Sequence, residues 1–180
     1  MAIESLNEEC GVFGIYDANE SVAESIYLGL FALQHRGQES AGIATSDKNK
    51  IFTKKDTGLI ANVFNDFDVN ELRGGIGIGH TRYSTTGSDS KQNAQPLLVK
   101  GTNGEIALGH NGNIVNSEEL KDKYLSQFDI NYVTTADTEV IAYMYANSIG
   151  KDWFERSNYC MRYIKGSLYI ILKMRDHMIL

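Results

Sequence analysis

Two short stretches of this chain place polar side chains where an apolar run ends. His80-Thr-Arg-Tyr-Ser-Thr-Thr-Gly87 presents an arginine, a tyrosine and several hydroxyls straight after the run Ile76 to Gly79, and His110-Asn-Gly-Asn113 follows Ile106 to Gly109. Asp137 stands at the start of a helical pattern. Each feature alone has a structural reading as good as a functional one, since a carboxylate at a helix start can simply cap backbone amides. Together they supply an arginine for a carboxylate, an aspartate for an ammonium, and an Asn side chain with a glycine amide for an oxyanion. That set describes an amino-acid site with an acyl-transfer centre.

Such a centre needs a nucleophile, and Cys10 can provide one. An isolated cysteine ahead of a strand also reads as a small core residue. Its setting adds weight to the chemical reading: Cys10 follows a short acidic leader, Met1 to Glu9, with Glu4, Glu8 and Glu9. Loss of that leader would make Cys10 the amino terminus. A terminal α-amine, with an ordinary pKa of about 7.7 to 8.0, lies close to a thiol at about 8.5, so it can act as the base for its own residue near neutral pH. No separate catalytic histidine is then required.

Other chemistries find less support. Gly74-Gly-Ile-Gly-Ile-Gly79 looks like a dinucleotide loop, but it lies inside an alternating strand pattern and not between a strand and a helix. Glycines in a strand instead admit another backbone or a ligand at close range. His35, His80, His110 and His177 lack the helical spacing of a zinc site and read as hydrogen-bonded scaffold residues, so no metal is expected in this chain. Two cysteines, Cys10 and Cys160, give neither a disulfide framework nor a CxxC pair, and Cys160 sits at an inward helical position, as a packing residue would. The formal charge of -6 argues against nucleic acid or an anionic membrane surface as a partner. With no secretory signal and no membrane-length apolar segment, a cytoplasmic protein is expected.

The elements that must carry these residues follow from pattern. At 180 residues, 42% hydrophobic, the chain is long enough for a full core. Fifteen of the 17 glycines fall between Gly11 and Gly112, so short strands and tight connections are expected first and helices later. Strands are expected at Gly11 to Tyr16, Ala41 to Ser46, Lys50 to Lys54, Gly75 to Tyr83, Pro96 to Lys100, Glu105 to His110 and Ser167 to Met174. A capping box at Ser21 and Glu24 opens a helix burying Val22, Ile26, Leu30 and Leu33, with Gly37 just past its end. A second at Asn116 and Glu119 opens one reaching about Gln127. Further helices are read at Asp137 to Ser148, with Val140, Ile141, Met144 and Tyr145 inward, and at Asp152 to Lys165, presenting Phe154, Cys160, Met161 and Ile164. Arg175 to His177 reads as a turn. This order predicts an α+β domain with largely antiparallel sheets.

The stretches EECGVFGIY, LQHRGQESAGIAT, GLIANVF, GIGHTRYSTTG, NAQPLL, LGHNGNIVN and TTADTEV resemble, in order and spacing, the amino-terminal glutaminase domain of the amidophosphoribosyltransferase family. These are class II, N-terminal-nucleophile (Ntn) glutamine amidotransferases. The likeness covers the chain up to about Met144, with Lys165-Gly166 as a last anchor. It implies a four-layer αββα Ntn-hydrolase sandwich, carboxy-terminally incomplete here. Residues 1–9 become a propeptide, residues 10–180 a partial type-2 amidotransferase domain, and a phosphoribosyltransferase domain is absent from the chain.

The resemblance also implies roles. Cys10 becomes the nucleophile that forms a thioester with glutamine and releases ammonia, and Asn111 and Gly112 the oxyanion hole. Arg82 binds the α-carboxylate, Asp137 the α-ammonium, Tyr83 and Thr85 belong to the substrate loop, and Arg36 supports the nucleophile. Ammonia would go to phosphoribosyl pyrophosphate (PRPP) in the missing domain, giving phosphoribosylamine, the first step of purine synthesis. Magnesium would be a cofactor only with that domain, and the full-length protein would be a homo-oligomer. Two alternatives stand beside this one: a sister class II amidotransferase making glucosamine phosphate or asparagine, and a non-catalytic remnant that acts as a binding partner.

Overall fold

The computed structural model describes residues 10–83, 91–174 and 178–179. It is α+β, with two antiparallel four-stranded sheets. The first contains β1 (Gly11–Tyr16), β2 (Ser40–Ser46), β3 (Ile51–Thr57) and β4 (Ile76–Arg82) in the order β1-β4-β2-β3. Alternation along β4 sends Ile76, Ile78 and His80 to one face and glycines to the other. The glycine face receives α1 (Ala23–Ala32). A Cβ at Gly77 or Gly79 would lie 2.5 Å from Ile26 side-chain atoms, so the missing side chains are what let Ile26 and Leu30 bury completely against the strand. Two short helices that the sequence reading did not include, α2 (Ile60–Val63) and α3 (Asp66–Glu71), close this part of the core through Ile60, Val63, Phe64 and Leu72.

The second sheet contains β5 (Leu97–Gly101), β6 (Gly104–Ile114), β7 (Gly166–Met174) and β8 (Met178–Ile179), in that order. Three further helices follow β6 in sequence: α4 (Ser117–Leu120), α5 (Asp137–Ala146) and α6 (Trp153–Met161). Ile106 and Leu108 of β6 pack with Val140, Ile141, Met144 and Tyr145 of α5, while Ala107, on the opposite face, clusters with Ala44, Ile51 and Ile78 of the first sheet. The two sheets therefore touch through β4 and β6. Strand β6 runs four residues past His110, the limit expected from sequence, because its pairing with β7 continues from Gly109–Ile171 to Ile114–Gly166.

Several local expectations need correction. Helix α1 has no capping box: Ser21 Oγ donates to the Leu72 carbonyl at 3.4 Å and the helix opens uncapped at Ala23. Leu33 is only half-buried, and Gly37 follows a 3-10 turn, Gln34–Arg36, in extended conformation. Asn116 does not cap α4 either. Its amide donates to the Tyr163 carbonyl at 2.8 Å and accepts from the Lys165 N–H at 2.9 Å, while Glu119 pairs with Lys123 and Lys165. After Leu120 the helix widens into a π-type turn, Lys121–Leu125, and does not run regularly to Gln127. In α6, Asp152 caps by accepting from the Glu155 N–H at 2.9 Å, but Phe154 and Met161 are 76% and 53% exposed. Buried Cys160 and half-buried Trp153 and Ile164 form the inward stripe at i, i+7 and i+11; Phe154 and Met161 each stand one position, about 100°, further round the helix. The Arg175 to His177 turn lies outside the described residues. Among those described, no helix is long and apolar enough to cross a membrane.

Candidate active site

The ends of β4 and β6, the start of α5 and the residue before β1 converge on a cavity of about 320 Å³. Its lining includes Cys10, Arg82, Tyr83, Gly112 and Asp137, together with Gln95, His110, Asn113 and Thr135 to Thr138. Five of the eight residues selected from sequence are thus brought to one place. Arg36 stands behind them: its Nε lies 3.4 Å from the Cys10 carbonyl and donates to it. Asn111 is half-buried on β6 and is not among the lining residues. Strand alternation places it with Ala107 and Gly109 on the face toward the first sheet, and a Cβ on Gly109 would sit 3.5 Å from Val12 of that sheet. Thr85 lies outside the described residues.

Cys10 precedes β1, whose register with β4 brings Gly11 opposite Thr81. Its Sγ is 3.8 Å from the Tyr83 carbonyl. Burial pushes the thiol above the ordinary range of a cysteine, beyond 9.0, and the Tyr83 main chain and the Arg82 charge pull it partly back. This thiol, with residues ahead of it, is therefore protonated at neutral pH and needs a base to attack.

Gly112 has φ 145°, a conformation that only glycine adopts without strain, and a Cβ there would lie 2.1 Å from the Ser167 carbonyl. Nothing but glycine fits between β6 and β7 at this point. Asp137 is the first residue of α5, and Ala136 occupies the cap position. Its Oδ2 accepts the Ile114 N–H at 2.8 Å, so the carboxylate ties the helix to β6, and its Oδ1 lies 3.8 Å from His110 Nδ1. Neighbouring Glu139, 4% exposed, accepts from the Val133 N–H and from both the N–H and hydroxyl of Thr134. It thereby fixes the loop that carries Thr135 and Ala136 into the cavity.

Behind these residues lies a buried polar layer. His80 Nε2 is 3.0 Å from the His110 carbonyl, and burial drives the His80 pKa down to about 3. Since a carbonyl only accepts, Nε2 carries the proton and the ring is neutral. Burial also lowers His110, opposed by the Asp137 charge. Gln95 bridges the His110 N–H, at 2.8 Å, and the Thr138 hydroxyl, at 3.1 Å. Lys55 donates to the Gln92 and Ala94 carbonyls, and burial lowers its ammonium to about 8. The sequence reading gave no role to Gln95, Thr138, Glu139 or Lys55. For Gln95 a signal existed: Asn93-Ala-Gln95 is a polar run abutting an apolar strand, the same cue that singled out HTRY and HNGN. Among the described residues no group of three or more His, Cys, Asp or Glu is placed to hold a metal ion.

Known proteins share the sequence pattern and the fold of this chain. A family model described as a glutamine amidotransferase domain matches residues 80–178. The amidophosphoribosyltransferase of Synechocystis is 46% identical over 167 residues, covering 92% of this chain and 34% of its own length. That of Bacillus subtilis is 40% identical over 178 residues, covering 98% and 37%. Among solved structures, the B. subtilis glutamine phosphoribosylpyrophosphate amidotransferase complexed with ADP and GMP superposes with a TM-score of 0.81 at 36% identity, over 93% of this chain and 36% of that one. A second, described as the allosteric regulatory enzyme of purine biosynthesis, gives 0.83 at 36% identity over the same shares. The chain spans about a third of the length of the curated relatives it matches.

Proposed function

The chain belongs to the class II glutamine amidotransferase domains, homologous to the amino-terminal part of amidophosphoribosyltransferases, and from that premise we propose that it hydrolyses glutamine through a Cys10 thioester. The observation that carries this reading is the single cavity shared by Cys10, Arg82, Gly112 and Asp137. A four-layer αββα arrangement is the matching fold reading, supported by α1 packed on the first sheet, the sheets touching through β4 and β6, and α5 packed on the second.

In this mechanism the leader, Met1 to Glu9, is removed and the freed α-amine of Cys10 takes the thiol proton, which the raised thiol pKa makes necessary. Arg82 holds the substrate α-carboxylate and Asp137 its α-ammonium, which sets the side-chain amide against Sγ. Tyr83 forms the wall beside Arg82, with Thr85 in the same substrate loop. Attack breaks the carbonyl π bond and places negative charge on oxygen, where the Asn111 side chain and the Gly112 N–H stabilise it. Collapse expels ammonia, which takes the proton from the α-amine, and leaves the thioester. Water then attacks to give glutamate and restore the thiol. The Arg36 bond to the Cys10 carbonyl keeps the nucleophile in register throughout.

The ammonia would serve phosphoribosylamine formation from PRPP in a phosphoribosyltransferase domain, the activity that the name of the longer relatives carries, with magnesium belonging to that half and homo-oligomers to the full-length protein. The test is ammonia release from glutamine by the chain beginning at Cys10, compared with Cys10→Ala. Release in the first and none in the second is expected; equal rates would remove Cys10 from the mechanism and leave the binding-partner alternative.

A further inference from the structure

Gln95, His110 and Thr138 are 5%, 3% and 1% exposed, and they hydrogen-bond to one another in a closed ring at the back of the cavity. Its proton directions can be deduced. The His110 main-chain N–H can only donate, so the atom of Gln95 facing it at 2.8 Å is the amide oxygen. The Gln95 NH₂ must then face Thr138 Oγ1, at 3.1 Å, and donate to it. Thr138 has a single hydroxyl proton. Its oxygen could accept a second hydrogen bond, so the direction of the 3.3 Å contact with His110 Nδ1 is set from the other side of the ring. There the Ser167 main chain interacts with the imidazole, and its carbonyl oxygen, which can only accept, lies with Nε2 around Gly112. With the ring proton on Nε2, Nδ1 accepts from Thr138.

The tautomer matters because of what stands beside it. Asp137 Oδ1 lies 3.8 Å from the same Nδ1. A proton there would make His110 a cation paired with Asp137, and an aspartate neutralised from within the protein is a poor partner for a substrate ammonium. We infer that Gln95 is a positioning residue of the glutaminase site: through Thr138 it holds His110 in its Nε2–H form and so keeps the Asp137 carboxylate available to the amino group of glutamine. This rests on the glutaminase reading above. The same ring also braces the strand carrying Gly112 against the helix carrying Asp137, since Gln95 and His110 Nδ1 both reach Thr138 of that helix. The titratable groups around His110 are Asp137 from α5 and His80 from β4, the latter neutral and facing the His110 carbonyl.

Replacing Gln95 with glutamate removes the donor in the ring. Thr138 then donates to the new carboxylate, Nδ1 loses the hydroxyl that donated to it, and His110 takes up a proton from solvent at Nδ1. In the chain beginning at Cys10, Gln95→Glu is expected to raise KM for glutamine by about tenfold or more while kcat changes by less than about threefold. Nitrogen NMR of the ¹⁵N-histidine-labelled protein supplies the second readout. At pH 7, His110 in the wild type should show an unprotonated Nδ1 and a protonated Nε2, and Gln95→Glu should show both protonated. An Nδ1–H tautomer in the wild type, or an unchanged KM in a folded Gln95→Glu variant, overturns the proposal. Should Gln95→Glu fail to fold, the wild-type tautomer and the KM of Thr138→Val decide it in the same way. Failure of the glutaminase reading is separable: it would appear as no ammonia from the wild type, whatever the tautomer.

Discussion

The imidazole Nε2 of His80, on the first sheet, lies 3.0 Å from the main-chain carbonyl of His110, on the second. This bond crosses from one sheet to the other directly behind the cavity, and it holds the strand that leads into Arg82 against the strand that leads into Gly112. This buried donor thus joins the Ala44, Ile51, Ile78 and Ala107 cluster in holding the two sheets, and the site at their ends, together.

That bond makes stability acid-sensitive. The folded-state pKa of His80 is depressed from 6.5 to about 3, so between those values the unfolded chain binds a proton that the folded chain excludes. Stability is fully present above about pH 6.5 and declines as pH falls toward 3. His110, also depressed by burial, adds to the same slope. His80→Phe should lessen the pH dependence, yet cost about 1–3 kcal/mol at pH 7.5 by leaving the His110 carbonyl without its donor. Urea midpoints at pH 7.5 and 5.0 for both proteins check this; identical pH dependence would exclude His80 as the titrating group.

Gly112 and Gly104 make a controlled pair. Both have positive φ, 145° and 97°, but a Cβ at Gly112 would lie 2.1 Å from the Ser167 carbonyl, whereas at Gly104 nothing lies within 4 Å. Gly104→Ala should cost about 1 kcal/mol of backbone strain and leave glutamine hydrolysis intact. Gly112→Ala adds a backbone clash to that strain, so it should cost more than Gly104→Ala and abolish ammonia release. Equal thermal shifts for the two would mean that β6 and β7 separate freely at this point.

The residues that line the cavity were more legible in the sequence than those that support them. Arg82, Tyr83 and Gly112 lie in polar stretches that follow apolar runs, where a strand end can reach a cleft, while Cys10 is marked by the leader before it and Asp137 by its place at a helix start. Gly77 and Gly79 could be read as close-approach positions from alternation alone. Capping boxes misled, because Ser21 and Asn116 meet the pattern but bond to Leu72, Tyr163 and Lys165, partners remote in sequence. The inward face of α6 was misread because Phe154 and Met161 are as apolar as Trp153 and Ile164, and only the packing surface decides between stripes. Polarity beside an apolar strand marks Gln95 but not its partners, 15 and 43 residues away, and Glu139 bonds to a loop that its helical pattern does not disclose.

Glu139 supports the loop beside Asp137. Its buried carboxylate accepts from two main-chain N–H groups and one hydroxyl, so in Glu139→Gln an NH₂ must face at least one of those donors. A loss of about 1–3 kcal/mol is expected. Because the freed segment, Val133 to Ala136, leads into Asp137, KM for glutamine should rise more than kcat falls. A variant with unchanged urea midpoint would show that solvent replaces the carboxylate at no cost.

The two cysteines should separate cleanly by reactivity. Cys160 is completely buried, and its thiol is pushed to about 12, chiefly by burial, so it should resist alkylation in the folded protein. Cys10 opens onto the cavity, but burial also raises it above 9.0 while the Arg82 charge lowers it. With the leader attached, iodoacetamide should therefore give one adduct, on Cys10, at a rate that still climbs above pH 9, because only the thiolate reacts. Arg82→Gln removes a charge that favours the thiolate, so it should slow labelling at pH 8. Removal of Met1 to Glu9 places an amine beside the same sulfur and should accelerate it. Peptide mapping after timed labelling measures all three rates. Equal modification of Cys10 and Cys160 in the native protein would show that α6 opens on the labelling timescale, and an Arg82→Gln rate at or above wild type would remove the guanidinium from the electrostatics of the nucleophile.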